Sequence, residues 1–290
     1  MFKEIFTTII LGLFYPEGAW LNELTSMDHM VEFNTINLSQ IGADPDTVKN
    51  NQTWPLTPLQ RTDSGISIPL ATFDTVPTHV TNVEEMETAY NKAESVARQH
   101  VDSLRSSASL SAAYNISPGA NTANTPVLLT SGNDRGDGTR ALLYKDILQL
   151  RTKFNKANFP QEGRILVLSP EHEEDLLKDD IDRYNQVMTT GKLAGFKVYT
   201  FNGNPTYTIT TGVATKNPYG TVSGNPSSFA FIKTEVMRAM GTIEGEPEKR
   251  WSDYRGWLLG FQMRFVAQPF RNKGIAAVVS DNVPVPEPEE

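Results

Sequence analysis

The apolar positions of this chain fall into a few distinct rhythms, and each rhythm predicts an element. From Val83 onward, apolar residues return every three or four places through Met86, Tyr90, Ala93, Ala97, Val101 and Leu104. That is the 3.6-residue period of one buried helix face, and it predicts a helix of about seven turns. Thr81 followed by Glu84 gives the hydroxyl-then-carboxylate pattern of a capping box at its start. A second stripe (Leu142, Leu143, Ile147, Leu150, Phe154) predicts a helix over Ala141–Ala157. The short apolar run Arg164–Leu168 predicts a buried strand. Ser169-Pro170 then opens another helix, with proline at its first position and Glu171, Glu173 and Glu174 close to its positive end. Gly191–Gly195 predicts a turn and the alternating Phe196–Phe201 a strand, so this region amounts to a small α/β layer. Phe229–Ile232, Met237–Met240 and Gly256–Ala267 predict further strands. Ser106–Thr139, rich in Ser, Asn, Thr and Gly, is expected to be loop apart from a short strand near Val127–Leu129.

Ahead of the long helix the pattern changes. Residues Gln52–Val80 carry Pro55, Pro58, Pro69 and Pro77 within strand-like composition, and Ile66 and Ile68 alternate with Ser67. Proline lacks the N–H that a central strand must donate. The segment therefore predicts a two-stranded hairpin projecting from the body, with Asp63-Ser64-Gly65 near its tip. An isolated two-stranded ribbon is marginal in water, so a second chain is expected to cover it. The run Ile5–Phe14 is too short to span a bilayer, which takes ~20 apolar residues. Lys3 suits a secretory signal, but Glu4 and the missing small-residue cleavage site do not, and an arm docking on a neighbouring subunit is the better expectation. Trp20, Trp54, Ile66, Ile68 and Phe73 are the candidate subunit-interface residues. The Pro- and acid-rich tail, residues 281–290, is expected to be disordered.

Composition narrows the function. The 290 residues carry a formal net charge of −8, which disfavours a free-standing nucleic-acid reader, and no cysteine, which excludes disulfides and thiol chemistry. The four histidines, His29, His79, His100 and His172, show no H-E-x-x-H spacing. His172 is followed by Glu173, Glu174 and Asp175, but these acids also suit a helix start. Asn133–Gly138 has the composition of a calcium loop without its ligand spacing, and embeds the tripeptide Arg135-Gly136-Asp137. Gly136–Ala141 fits a loose G-x-G-x-x-A, but its acids would repel a pyrophosphate. No catalytic residue, metal site or cofactor is expected, and the chain is read as a non-enzyme. Basic residues gather at Arg151, Lys153 and Lys156, and again between Lys249 and Lys273; they are expected to be solvated, to meet acidic neighbours, or to face nucleic acid.

The order of elements carries a resemblance. The passage Arg164–Pro170, a helix, then Gly195-Phe196-Lys197-Val198-Tyr199, and the closing strands Phe229–Ala239, Gly256–Gln268 and Gly274-Ile275, are similar to tailed-bacteriophage major capsid proteins of the Hong Kong 97 fold. The resemblance implies an α+β fold: an N-terminal arm (1–40), an extended β-hairpin loop (41–80), a peripheral domain (81–139 and 226–280) with a long spine helix at 81–107, and an axial α/β domain (140–225). It further implies self-assembly into hexamers and pentamers of an icosahedral virion shell enclosing double-stranded DNA, in the host bacterial cytoplasm and without a membrane. Scaffolding, portal or auxiliary capsid proteins would be partners. The Lys–Asn crosslink of some relatives is not carried over, because Lys49 is the loop's one lysine. Two rival readings stay open: an encapsulin-like nanocompartment shell, and a secreted binding protein with a signal-like N-terminus.

Overall fold

The structure is a computed structural model that describes residues 19–32, 34–40, 47, 49–52, 54–55, 64–81, 92–245, 248–250 and 255–283. The chain runs through strands β1 (Thr25–Ser26), β2 (Val31–Glu32), β3 (Thr35–Gln40), β4 (Ser64–Pro69), β5 (Ala71–Asp74) and β6 (Thr78–Thr81) into helix α1 (Lys92–Ile116). Strand β7 (Val127–Leu129), helix α2 (Tyr144–Lys156), strand β8 (Arg164–Leu168) and the helix pair α3 (Pro170–Asp179) and α4 (Ile181–Thr190) follow. Next come β9 (Lys192–Leu193), β10 (Phe196–Thr200) and the hairpin of β11 (Tyr207–Thr210) and β12 (Val213–Lys216). The chain closes through β13 (Ser227–Ile232), β14 (Val236–Glu244), β15 (Glu248–Arg250), β16 (Gly256–Leu259), β17 (Gln262–Pro269) and β18 (Ile275–Val279).

The central sheet has the order β7-β18-β13-β8-β10-β9. Every residue of β8, β13 and β18 is buried, as their unbroken apolar runs require of strands covered on both faces. Because side chains alternate along a strand, the two faces feed two cores. Leu166, Leu168, Ala230, Ile232, Ala276 and Val278 pack beneath α2, α3 and α4. Ile165, Val167, Phe229, Phe231 and Ile275 pack against α1. Caps mark the helix ends, including a break at Asp180 that the sequence pattern does not indicate. The Ser169 hydroxyl accepts the His172 N–H at the start of α3, Asp180 accepts the Arg183 N–H at the start of α4, and Gly191 ends α4 in the left-handed conformation.

Helix α1 also lies across a second sheet, of order β1-β14-β17-β5, and so joins the two into one core. It continues to Ile116, well past the Leu104 at which the sequence stripe ends. Ala108, Ala112, Ala113 and Ile116 carry the stripe on, all fully buried. Alanine is the strongest helix former, and its small side chain lets the helix approach the strands closely, so the loop expected from Ser106 gives way to ordered packing. The predicted start, Val83 to Tyr90, lies outside the described residues, while Thr81 itself ends β6 opposite Gly256. The predicted strand Gly256–Ala267 is two strands, β16 and β17, which pair with β6 and with β14 and β5 respectively.

The hairpin exists, with different strands from those expected. Its arms are β3 and β4, paired from Thr35↔Pro69 to Gln40↔Ser64. Ser64 and Gly65 are thus ladder residues, and the connection between the arms falls within residues 41–63. The base of the hairpin rests on its own body, where Ile36, Ile68 and Leu70 pack on Met237, Ala239 and Val266 of the second sheet.

Candidate assembly surface

The chemistry-bearing side chains gather at one interior point. His172 is fully buried at the start of α3, with Nδ1 2.7 Å from the Ser228 hydroxyl and Nε2 2.9 Å from the Ser280 hydroxyl. Burial, then the nearby Arg135 charge, pushes its pKa down to about 3, against the opposing pull of Asp175. The ring is therefore neutral, with one nitrogen donating and the other accepting. Asp175 is held by two N–H groups on one edge of the Arg135 guanidinium, Nε at 3.0 Å and Nη2 at 2.5 Å, and accepts the Leu142 N–H. The network ties α3, β13, β18 and the 131–142 loop together, and a ring with no exposed surface presents nothing to a substrate.

The calcium-like loop is part of this lock. Asp134 accepts the Gly136 N–H, Asp137 accepts the Thr139 N–H, and the Arg135 cation occupies the centre. Gly136 and Gly138 adopt positive φ in a turn that ends well before α2 begins at Tyr144, unlike a phosphate loop opening directly into a helix. Among the described residues no group of three or more metal-ligating side chains forms. His29 lies in a 3-10 turn, His79 in β6, and His100 on α1 against the Phe261 ring, so the histidines do not converge. The predicted tail begins later than expected. Arg140 N–H donates to the Asp281 carbonyl, Val283 N–H to the Gly138 carbonyl, and Asn225 to the Asn282 side chain, so 281–283 are tied to the body, while 284–290 lie outside the described residues.

The candidate interface residues separate into two groups. Trp20 is only 5% exposed, with its ring against Phe201, Phe229 and Phe231 of its own chain. Ile68 is buried in the hairpin base, Ile66 packs beside it, and Phe73, on β5, packs on the α1 core. These four contribute to the intramolecular core, Trp20 against the central sheet and Ile66, Ile68 and Phe73 through strands that pack on or join the second sheet. Trp54, on the hairpin connection, is 75% exposed and keeps an interface role open. The sequence could not separate the two groups, since both consist of large apolar side chains ahead of the long helix.

The exposed features of the helical layer are only partly legible in the sequence, which marks Arg151, Lys153 and Lys156 of α2 but not the apolar face of α4. Ile181 and Met188 stand 60% and 65% exposed on α4. A cavity of about 330 Å³ lies between α3, α4 and β10, where Arg183 stacks over the Tyr144 ring at 4.1 Å and the Tyr184 hydroxyl donates to Glu173. On α2, Lys145, Arg151, Lys153 and Lys156 are exposed. Farther along, Arg271 is paired in fork fashion with Glu235, and Arg250 with Glu248. Among the described residues no helix is long and apolar enough to cross a membrane.

The fold and sequence have known counterparts. A family model described as phage capsid protein matches residues 82–278. Similar solved structures include one from Mycobacterium phage Che8 (15% identity, 90% of each chain, TM-score 0.64) and the capsid of cyanophage P-SCSP1u (15% identity, 90% of this chain and 87% of that one, TM-score 0.66). The capsid of a native GTA particle matches at 12% identity over 93% of this chain and 96% of that one, with a TM-score of 0.64. No curated protein matches the sequence. With the family model covering most of the chain and the fold shared along its length, this chain belongs to the phage capsid protein family, as a major capsid protein of the Hong Kong 97 type located in the virion shell.

Proposed function

We propose that the chain assembles as hexamers and pentamers that close into an icosahedral shell around double-stranded DNA. The observation that carries this reading is the hairpin β3–β4. Its base packs on the body, and its connection holds Trp54 exposed, a large apolar side chain that a partner surface would cover. Residues 41–80 then serve as the extended loop, with β4 to β6 rooting it in the body. Helix α1 serves as the spine of a peripheral domain, and the α2–α4 layer with β8 to β12 as the axial domain. Scaffolding and portal proteins complete the assembly as partners, and the shell acts by enclosing, not by catalysis.

Electron microscopy with light scattering on the purified full chain tests the proposal. Five- and six-membered rings or closed particles support it, and an unassembled chain at all concentrations, with and without co-expressed partners, overturns it. Nuclease-protected DNA inside particles separates a virion shell from a protein-filled compartment. Removal of the arm is the second test. A cut through residue 30 would strip Trp20, Leu21 and Leu24 from the core, so the deletion must stop at residue 18. That variant should fold and fail to close particles.

A further inference from the structure

The two ends of the helical layer are complementary in both charge and apolar character. Helix α2 lies over β7 and β18, at one edge of the central sheet, and α4 meets β9, at the other. Against the 122–124 loop that leads into β7, α2 forms an open groove of about 710 Å³ lined by Lys145, Leu148, Thr152, Lys153 and Lys156. Leu148, 38% exposed, sits among the lysines, and none of the three lysines makes an ion pair among the described residues. The only acid of α2, Asp146, is buried and held by Ser131. On the α4 side of the layer, α3, α4 and the Asp180 between them carry six carboxylates against two cations, Lys178 and Arg183, setting aside the Asp175 that Arg135 holds. Ile181 and Met188 form an exposed apolar ridge along α4, about 10 Å long at 1.5 Å per residue, flanked by Asp182, which makes no ion pair among the described residues.

We infer that the α2 groove of one copy receives the α4 ridge of the next copy in the ring, an inference that rests on the shell-subunit reading above. A head-to-tail contact between two different faces of one chain is the geometry that closes rings. Each face pairs an apolar element with an excess of one charge, since Arg183 beside the ridge is already paired with Asp180, so a second copy satisfies both parts of the groove. A DNA backbone would match the lysines and leave Leu148 without a counterpart. Because the lysines are solvated and unpaired in the single chain, they hold no internal contact that docking would have to break.

Charge reversal in the full-length protein tests the pairing. The groove variant K153E/K156E and the ridge variant D182K/N185K change exposed residues only. Each alone should keep the wild-type circular dichroism spectrum and need roughly tenfold more protein to form rings, at a few tenths to one kcal/mol per surface pair turned from attraction to repulsion. Mixed in equal amounts, the two should assemble again, because each mutant groove then meets a ridge of opposite charge. The restored rings must alternate, so they should be even-membered, with six-fold rings and no five-fold ones. If the groove variant loses its fold, K153Q/K156Q is measured in its place. A groove variant that assembles like wild type overturns the inference, and if its particles have lost DNA the face belongs to nucleic acid instead. Wild-type protein that forms no ring under any condition fails the shell reading itself.

Discussion

Lowering the pH from 6.5 to 4.5 should cost the folded chain about 2 kcal/mol through one ring, the loss approaching about 1.4 kcal/mol per pH unit once the pH is well below the unfolded value. His172 titrates near 6.5 when unfolded and near 3 when folded, because its ring is fully buried and a second cation, Arg135, lies close by. Between those values the unfolded state binds a proton that the folded state refuses. Stability is therefore complete above pH 6.5 and falls as pH drops through the window. Carboxylates also respond to acid, so the informative quantity is a difference. His172→Gln keeps an amide that can donate to one serine and accept from the other, but cannot titrate. Urea unfolding of the unassembled protein, followed by tryptophan fluorescence at several pH values, should show wild type losing the extra stability and the variant not. The account would be falsified if the two lost stability in parallel between pH 6.5 and 4.5, since the proton would then have found a place in the folded network.

Arg135→Ala should destabilise the chain by about 3–5 kcal/mol in the same urea assay, because it strands the buried Asp175 charge. Trp20→Ala should cost about 3–5 kcal/mol by removing the ring that meets Phe201, Phe229 and Phe231, and wild-type stability would show that the residue is not core. Ala112→Leu should cost about 1–3 kcal/mol by forcing α1 away from the sheet, read as a lowered melting temperature. Trp54→Ala should leave the unassembled chain within about 0.5 kcal/mol of wild type while reducing particle yield by sedimentation. An unchanged yield would remove Trp54 from the interface.

The elements legible in the sequence are those whose signal is local. Arg164–Leu168 is an unbroken apolar run between a glycine and a serine-proline helix start, and it became β8 and α3 at nearly those limits. The second half of α1 was hidden because alanine and serine are small. A stripe of Ala108, Ala112 and Ala113 has little hydrophobic contrast, although it is well suited to close packing on strands. The hairpin was legible as a hairpin but not in register, since β3 and β4 are separated by residues 41–63 and no tight turn fixes their alignment. Trp20 looked like an interface residue because its cavity is made by Phe201, Phe229 and Phe231, distant in sequence. The paired faces of the helical layer were half visible. The lysine cluster could be read directly, but its groove depends on which sheet edge lies beneath it.

Strand β18 lies inside the central sheet, between β7 and β13, and it is the last of the strands to be synthesised. Until the ribosome has made residue 279, β7 has no neighbour and β13 has an open side, with Phe229 and Phe231 packed against an incomplete wall. His172 likewise lacks Ser280, and Arg135 lacks one of its hydrogen-bond partners. The nascent chain therefore cannot complete its central sheet early, whatever its other elements do. For a subunit made in many copies, this order of synthesis leaves a partly translated chain with an open side on β13 and an unfinished lock around His172, both closed only when β18 and Ser280 arrive.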